Sequence, residues 1–414
     1  MEVDYKTGVS LLKQGQAPGN RDILKQITVE FDSLIEFIKE KYFTEYISFG
    51  GSKIKFVTGK AGSGKTHFLQ LLSIASKELG FNTVNFSAKQ IWLHDFKDIY
   101  TEIFKKSDLM LCLTKCAANI VIELGYDYSE IPPDISFVDY LSSIGEFDAL
   151  IKKEIRNQLR TMFLKNPFLD NNFAIACSLL TGSILGHPVL EISNRDLLMA
   201  WLSGNKDIKI ASLRNLGLSP AKITKHNARH MLRSLAEVHR IACFPGIMVT
   251  IDNAEILVSS TSLDTIRYTR LKREDAYESI RELIDEIDTM RGIMFFYAFD
   301  RELIDNELSG IKSYQALWMR IQNEIVSSRF NNFTDIIDLD RFAAEKFTKE
   351  TLLTISEKIA GAVNMLSSGA NNISGETADA ILSKAQYSKT SLPRQIVLAT
   401  VNSEHWQEAG YERF

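Results

Sequence analysis

The sequence predicts an α/β fold of three layers, a parallel sheet between helices, with a large helical insertion and a helical C-terminal unit. Three observations carry this. Short apolar runs bounded by turn residues recur at residues 53–58, 80–87, 246–252 and 292–298, the pattern of strands covered on both faces. A glycine-rich turn joins the first run to a helical pattern, as in a βαβ unit. Most of the remaining chain keeps helical spacing of its apolar residues.

Residues 1–50 read as a helical lead-in. After a turn signal at Gln16-Ala17-Pro18-Gly19-Asn20, Ile23, Leu24, Ile27, Phe31, Leu34, Ile35 and Ile38 fall at the spacing of one helix face, which docks on a core.

Residues 51–100 form the first half of that core. The strand over residues 53–58 enters Gly59-Lys60-Ala61-Gly62-Ser63-Gly64-Lys65-Thr66, which fits the phosphate-loop pattern G-x-x-x-x-G-K-[ST]. Gly59, Gly62 and Gly64 lack a Cβ, so the backbone can wrap a polyphosphate and aim N–H groups at its oxygens. The positive end of the helix that follows assists. Lys65 reaches the β- and γ-phosphates and Thr66 ligates Mg²⁺, so residues 59–66 with His67 are the candidate nucleotide cradle and ATP with Mg²⁺ the expected ligand.

Residues 101–240 read as a helical insertion, interrupted by Pro132-Pro133, Pro167, Pro188 and Pro220 and without a clear strand. Near its end Lys206, Lys209, Arg214, Lys222, Lys225, Arg229, Arg233 and Arg240 outnumber Asp207 and Glu237. Two readings stand: contact with the phosphate backbone of duplex DNA, or a basic face pairing with acids of a partner subunit or of residues 274–288. His226 and His230 have zinc-site spacing but lack the Glu of H-E-x-x-H and a third ligand, so no zinc is assigned.

Residues 241–340 resume the sheet. The strand over residues 246–252 ends in Asp252, placed to hold the water shell of the metal in a P-loop enzyme. Asn253-Ala254-Glu255 follows, and an amide cannot accept a proton. Either Asn253 orients the attacking water while Glu255 acts as the acid, or hydrolysis is slow and ATP is chiefly a ligand. Asp300, after the strand over residues 292–298, stands where such ATPases place a γ-phosphate sensor, and a helix-starting acid is its other reading. Arg320 and Arg329 are candidate fingers for the nucleotide of a neighbouring subunit, with a solvated helix face as the alternative for each. Residues 335–339 supply a fifth, shorter strand.

Residues 341–414 read as a helical lid with a loop at residues 369–374. In Ser391-Leu392-Pro393-Arg394, Pro393 starts a helix and carries Arg394 in its first turn toward the nucleotide.

A chain of 414 residues, 45% hydrophobic and 24% charged, fits a globular protein of two or three domains and excludes disordered and fibrous classes. No apolar stretch is long enough to span a bilayer and no export leader stands at the N-terminus, so a cytoplasmic location is expected. Cys112, Cys116, Cys177 and Cys243 show no metal or redox spacing and read as reduced packing residues. The net charge of −4 exerts no global pull on nucleic acid, so such contact needs a local patch.

Pro18-Gly19-Asn20-Arg21-Asp22, the phosphate loop, residues 246–257 around Asp252, and Gly310-Ile311-Lys312-Ser313-Tyr314-Gln315-Ala316-Leu317-Trp318 with Arg320 together resemble the BREX system ATP-binding proteins of the BrxC/BrxD type. That resemblance implies a P-loop NTPase of the AAA+-like class with sheet order 5-1-4-3-2, prokaryotic defence against phage, and ATP, DNA and other defence-system proteins as partners in a homo- or hetero-oligomer. Asn253 departs from a Glu common in the family, and Asp300 from a Thr. The expected function is an ATP-binding, ATP-hydrolysing defence component. A slowly hydrolysing switch or scaffold and an origin-recognition-like DNA loader are the alternatives.

Overall fold

The computed structural model describes residues 3–261, 264–325, 330–366, 369–385, 388 and 390–401. Five parallel strands, β1 (Ser52–Gly59), β2 (Asn82–Ser87), β3 (Ile247–Asp252), β4 (Ile293–Asp300) and β5 (Ile336–Asp338), form one sheet. Their order is β2-β3-β4-β1-β5, the order the resemblance implies. Helices α1 (Tyr5–Lys13), α2 (Arg21–Ile27) and α3 (Phe31–Phe37) precede the sheet, and α4 (Lys65–Glu78) joins β1 to β2. Between β2 and β3 run α5 (Phe96–Lys106), α6 (Leu109–Glu123), α7 (Phe137–Ser143), α8 (Ala149–Leu159), α9 (Asn171–Leu185), α10 (Ile192–Leu202), α11 (Ile210–Leu213) and α12 (Ala228–Ile241). Next come α13 (Arg270–Glu286) before β4, and α14 (Glu302–Asp305) and α15 (Gln315–Ile325) after it. α16 (Leu339–Lys346), α17 (Lys349–Asn364), α18 (Gly375–Lys384) and α19 (Leu392–Val401) complete the described chain.

Alternation along each strand divides the core. Val57, Met248, Met294, Phe296 and Ala298 face α4, the N-terminal helices and α16 to α19. Ile54, Phe56, Val84, Val249, Phe295 and Tyr297 face the other way, into one cluster with Leu113 and Cys116 of α6, Phe173 and Cys177 of α9, and Leu232 and Leu235 of α12. The helices between β2 and β3 thus share their apolar core with the sheet. Burial pushes the Cys112 thiol up to about 12 and raises Cys116 and Cys177 as well, which suits inert packing residues.

Two lysines in β1 are accommodated at its border with β5. Lys53 pairs with Asp335 at 2.7 Å. Lys55, fully buried, donates to the Thr334 carbonyl at 2.6 Å and lies 4.3 Å from the centre of the Tyr42 ring.

The apolar stripe from Ile23 to Ile38 is not carried by one helix. α2 stops at Ile27, Thr28 returns its hydroxyl to the Leu24 carbonyl at 2.6 Å, and Glu30 adopts a φ of 68° before α3 starts. A wider π-type turn over Ile38–Ile47 then leads to β1. Thr28 closes the last turn with both its N–H and its hydroxyl on the Leu24 carbonyl while its own backbone is already extended, so the stripe continues only after the turn at Glu30.

His239 of α12 links the helices to β2. Its Nδ1 lies 2.8 Å from the Leu235 carbonyl, and its Nε2 lies 2.9 Å from the Ser107 carbonyl and 3.0 Å from Asn82 Nδ2, which itself donates to the Ser107 carbonyl at 2.7 Å. A neutral ring has one N–H and donates to only one of the two carbonyls. Burial lowers its pKa from the ordinary 6.5, outweighing the carbonyls that favour the cation. The unfolded chain therefore binds a proton below about 6.5 that the native state refuses, and stability falls as pH drops below that value. Urea midpoints measured from pH 7.5 to 5 should decline. His239→Gln, less stable at neutral pH, should show a shallower decline.

Candidate functional site

The sheet register brings the candidate residues to one edge. Gly59 lies beside Asp300 and Ser87 beside Asp252, all at the C-terminal ends of their strands. From Gly59 the chain turns through Gly62 at φ 79° and Gly64 at φ 94°, values that glycine adopts without strain, and enters α4 at Lys65. A Cβ on Gly59 would stand 2.4 Å from Ser63 Oγ. The turn is braced from the C-terminal side of the chain. Asp340 accepts the Lys60 N–H at 2.7 Å, Lys60 Nζ donates to the Ser388 carbonyl at 2.8 Å, and Arg394 packs so closely on Gly62 that a Cβ there would fall 2.6 Å from its side chain.

The charged groups are held together tightly. Lys65 Nζ pairs with Asp300 Oδ1 at 2.6 Å and lies 3.1 Å and 3.0 Å from the Gly59 and Lys60 carbonyls. Thr66 donates its hydroxyl to Asp252 Oδ2 at 2.6 Å, and the Asn253 N–H meets Asp252 Oδ1 at 2.9 Å. Burial pushes Asp252 above the usual carboxylate range, while the Thr66 hydroxyl, the Asn253 N–H and the Lys65 charge pull it back.

Asn253 sits at φ 61°, a left-handed conformation that Asn tolerates. It accepts from Ser87 Oγ at 2.8 Å and donates to Glu255 Oε1 at 3.4 Å. Glu255 Oε2 accepts the Asp300 N–H at 3.3 Å, and its pKa is raised by burial first and by the Asp300 charge second. His67 lies 3.0 Å from Thr28 Oγ1, and desolvation holds its ring at about 4, neutral at ordinary pH.

These residues line one cavity of about 630 Å³. Gly62, Lys65, Thr66, Asp252, Glu255, Asp300 and Arg394 form its polar end, and Ile27, Val29, Phe31, Phe347, Ile355, Ile359 and Val397 form an apolar wall. An apolar pocket with a charged, N–H-rich end suits a planar base joined to phosphates. That wall and the turn at residues 15–18 were not marked as site residues by the sequence. The turn signal ending at Asn20 was the only hint, since the wall comes from ordinary amphipathic helices. A wider groove of about 1000 Å³ along α4 shares Thr66, Asp252 and Asn253, but Lys65, Asp300 and Arg394 do not line it.

The hydroxyl of Thr66 and the carboxylate of Asp252 are hard oxygen donors side by side, the set Mg²⁺ takes together with phosphate oxygens and water. Among the described residues no three His, Cys, Asp or Glu side chains gather as a protein-only metal cage.

Other candidates lie elsewhere. Arg320 is held by Asp285, with its Nε at 2.9 Å and Nη2 at 2.8 Å, and does not line the cavity. Arg329 falls outside the described residues. Arg229 is buried in ion pairs with Glu282 at 2.5 Å and Glu286 at 3.1 Å, so this member of the basic stretch takes the pairing with residues 274–288. Lys206, Lys209, Arg214, Lys222 and Lys225 remain exposed. His226 precedes α12, so His226 and His230 do not share a helix face. No helix among the described residues is long and apolar enough to cross a membrane.

Removing Arg229 would strand two carboxylates against an apolar core. Both are partly exposed, which limits the loss, so Arg229→Ala should cost about 1–3 kcal/mol in urea unfolding. Lys222→Glu and Lys225→Glu should leave the unfolding midpoint nearly unchanged.

No curated protein and no solved structure matches the chain. The family model of the BREX system ATP-binding protein BrxC/D matches residues 6–402. With that span covering nearly the whole sequence, the chain belongs to the BrxC/D family of BREX system ATP-binding proteins.

Proposed function

We propose that this protein is an AAA+-like, Mg²⁺-dependent ATPase of a prokaryotic anti-phage system, acting in the cytoplasm in an oligomer with other defence proteins on duplex DNA. The observation that carries it is the single cavity in which Lys65, the Thr66–Asp252 pair, Asp300 and Arg394 meet an apolar wall. In this reading residues 51–100 and 241–340 are the ATPase core, residues 101–240 an insertion, residues 341–414 a lid, and residues 1–50 a lead-in that closes the base pocket.

The roles follow from the chemistry of each group. The loop N–H groups and Lys65 neutralise phosphate charge. Mg²⁺, when bound through Thr66 and Asp252, would draw charge from the phosphate oxygens. Glu255 is the carboxylate placed to polarise the attacking water, with Asn253 orienting it. Arg394, packed on Gly62, contributes positive charge from the lid, and Arg320 is the candidate reaching a neighbour's nucleotide once released from Asp285.

A second reading, a switch or scaffold that holds ATP and turns it over slowly, is favoured by Asn253, whose side chain is engaged by Ser87 and Glu255. A steady-state ATPase assay with and without duplex DNA separates the two. Tight binding without turnover under both conditions would select the switch. An origin-recognition-like loader would need ATP to retain DNA.

Calorimetry should show ATP binding by the wild type and none by a folded Lys65→Ala variant; unchanged affinity in that variant would remove the phosphate-loop assignment. Glu255→Gln should keep ATP affinity within a few-fold and lower turnover by about 10²-fold or more.

The exposed lysines at the end of the insertion are the proposed DNA contact. Lys206→Glu, Lys222→Glu and Lys225→Glu combined should abolish a duplex mobility shift that also weakens steeply with salt. An unaltered shift would move the contact elsewhere.

A further inference from the structure

Oxygens of the chain surround the Lys65 ammonium: Asp300 Oδ1 at 2.6 Å, the Lys60 carbonyl at 3.0 Å, the Gly59 carbonyl at 3.1 Å and, more distantly, Ser63 Oγ at 3.5 Å. The Lys65 side chain is only 9% exposed, so water replaces few of these contacts. The backbone of Asp300 is fixed beside the phosphate loop, so its carboxylate stays within reach even when it releases Lys65. Asp300 ends β4 in register with Gly59, its own N–H is held by Glu255, and the next N–H, of Arg301, donates to the Gly59 carbonyl at 3.1 Å. The other two acids of the cavity have different donors, Asp252 taking Thr66 and the Asn253 N–H, and Glu255 taking Asn253 Nδ2.

We propose that Asp300 is a resident counter-ion that competes with nucleotide phosphates for Lys65, making binding an ion exchange and biasing the site toward the magnesium complex of the nucleotide. This rests on the nucleotide reading of the cavity. A phosphate oxygen reaches Lys65 by taking the place of the Asp300 carboxylate, which then remains near the phosphates as a second negative charge. A like charge at such a distance in a partly desolvated pocket is costly, and a phosphate already neutralised by Mg²⁺ meets less of that cost. The sensor position thereby acts before any chemistry, as a selector of ligand charge.

The test is calorimetric titration of the full chain with ATP and with inorganic tripolyphosphate, in EDTA and in Mg²⁺. Asp300→Asn should bind both about tenfold tighter in EDTA, with a smaller gain in Mg²⁺, so that the wild-type preference for the magnesium complex narrows. Asp300→Thr is measured in parallel as a second uncharged replacement. Glu302→Gln, an exposed charge change on α14 outside the cavity, should alter affinity by less than about twofold. Equal or weaker binding by the Asp300 variants would overturn the proposal, as would loss of the folded state in both, which would make Asp300 a structural ion-pair partner. If the wild type binds neither ligand under either condition, the nucleotide reading itself fails.

Discussion

The parallel register of the sheet is the constraint on which the site depends. β1 pairs with β4 so that Gly59 meets Asp300, and β2 pairs with β3 so that Ser87 meets Asp252. A shift of one residue along any pair would turn apolar side chains toward the wrong face of the core, so the alternation that buries the sheet also fixes where the functional groups end. Thr66 and Asp252 stand 186 positions apart in sequence, yet their 2.6 Å hydrogen bond needs no search once the strands are aligned. The helices between β2 and β3 can be long because they leave and rejoin neighbouring strands, and they strengthen the alignment by sharing one face of its core.

Gathering Asp252, Glu255 and Asp300 at one strand edge carries an electrostatic cost that the surroundings meet with directed hydrogen bonds. Each acid is assigned its own donors, and the single nearby lysine is given to Asp300. Burial still leaves Asp252 and Glu255 with raised proton affinity. Such a cluster stores negative charge that a cation or cationic side chain can relieve, which is the electrostatic condition for binding a metal-complexed anion.

Much of this was readable from the sequence wherever a signal was local. The phosphate-loop pattern, the apolar strand runs and the acids at their ends each occupy a few adjacent residues, and Asp252 and Asp300 end their strands where those runs place them, while the strand order follows only from the class the chain resembles. Features that depend on distant partners were not readable. The break at Thr28 brings its hydroxyl to His67, 39 positions on in the sequence. For Arg229 the sequence leaves nucleic-acid contact and pairing with residues 274–288 both open, and only its ion pairs with Glu282 and Glu286 of α13 select the second. The apolar wall from Ile355, Ile359 and Val397 was hidden because a helix facing a cavity and one facing a core have the same periodicity.

The bracing of the glycine-rich turn by α16 and α19 has a temporal side. Asp340, Ser388 and Arg394 hold a loop that begins at Gly59, and a Cβ on Gly15 would stand 3.5 Å from the Arg394 side chain. During synthesis the loop leaves the ribosome long before these supports exist, and domains fold as their sequence emerges. The cavity is therefore assembled only after α19 has emerged and closed over segments made long before it. Until then a nascent chain carries the motif without the pocket, which separates possession of the motif from competence to use it.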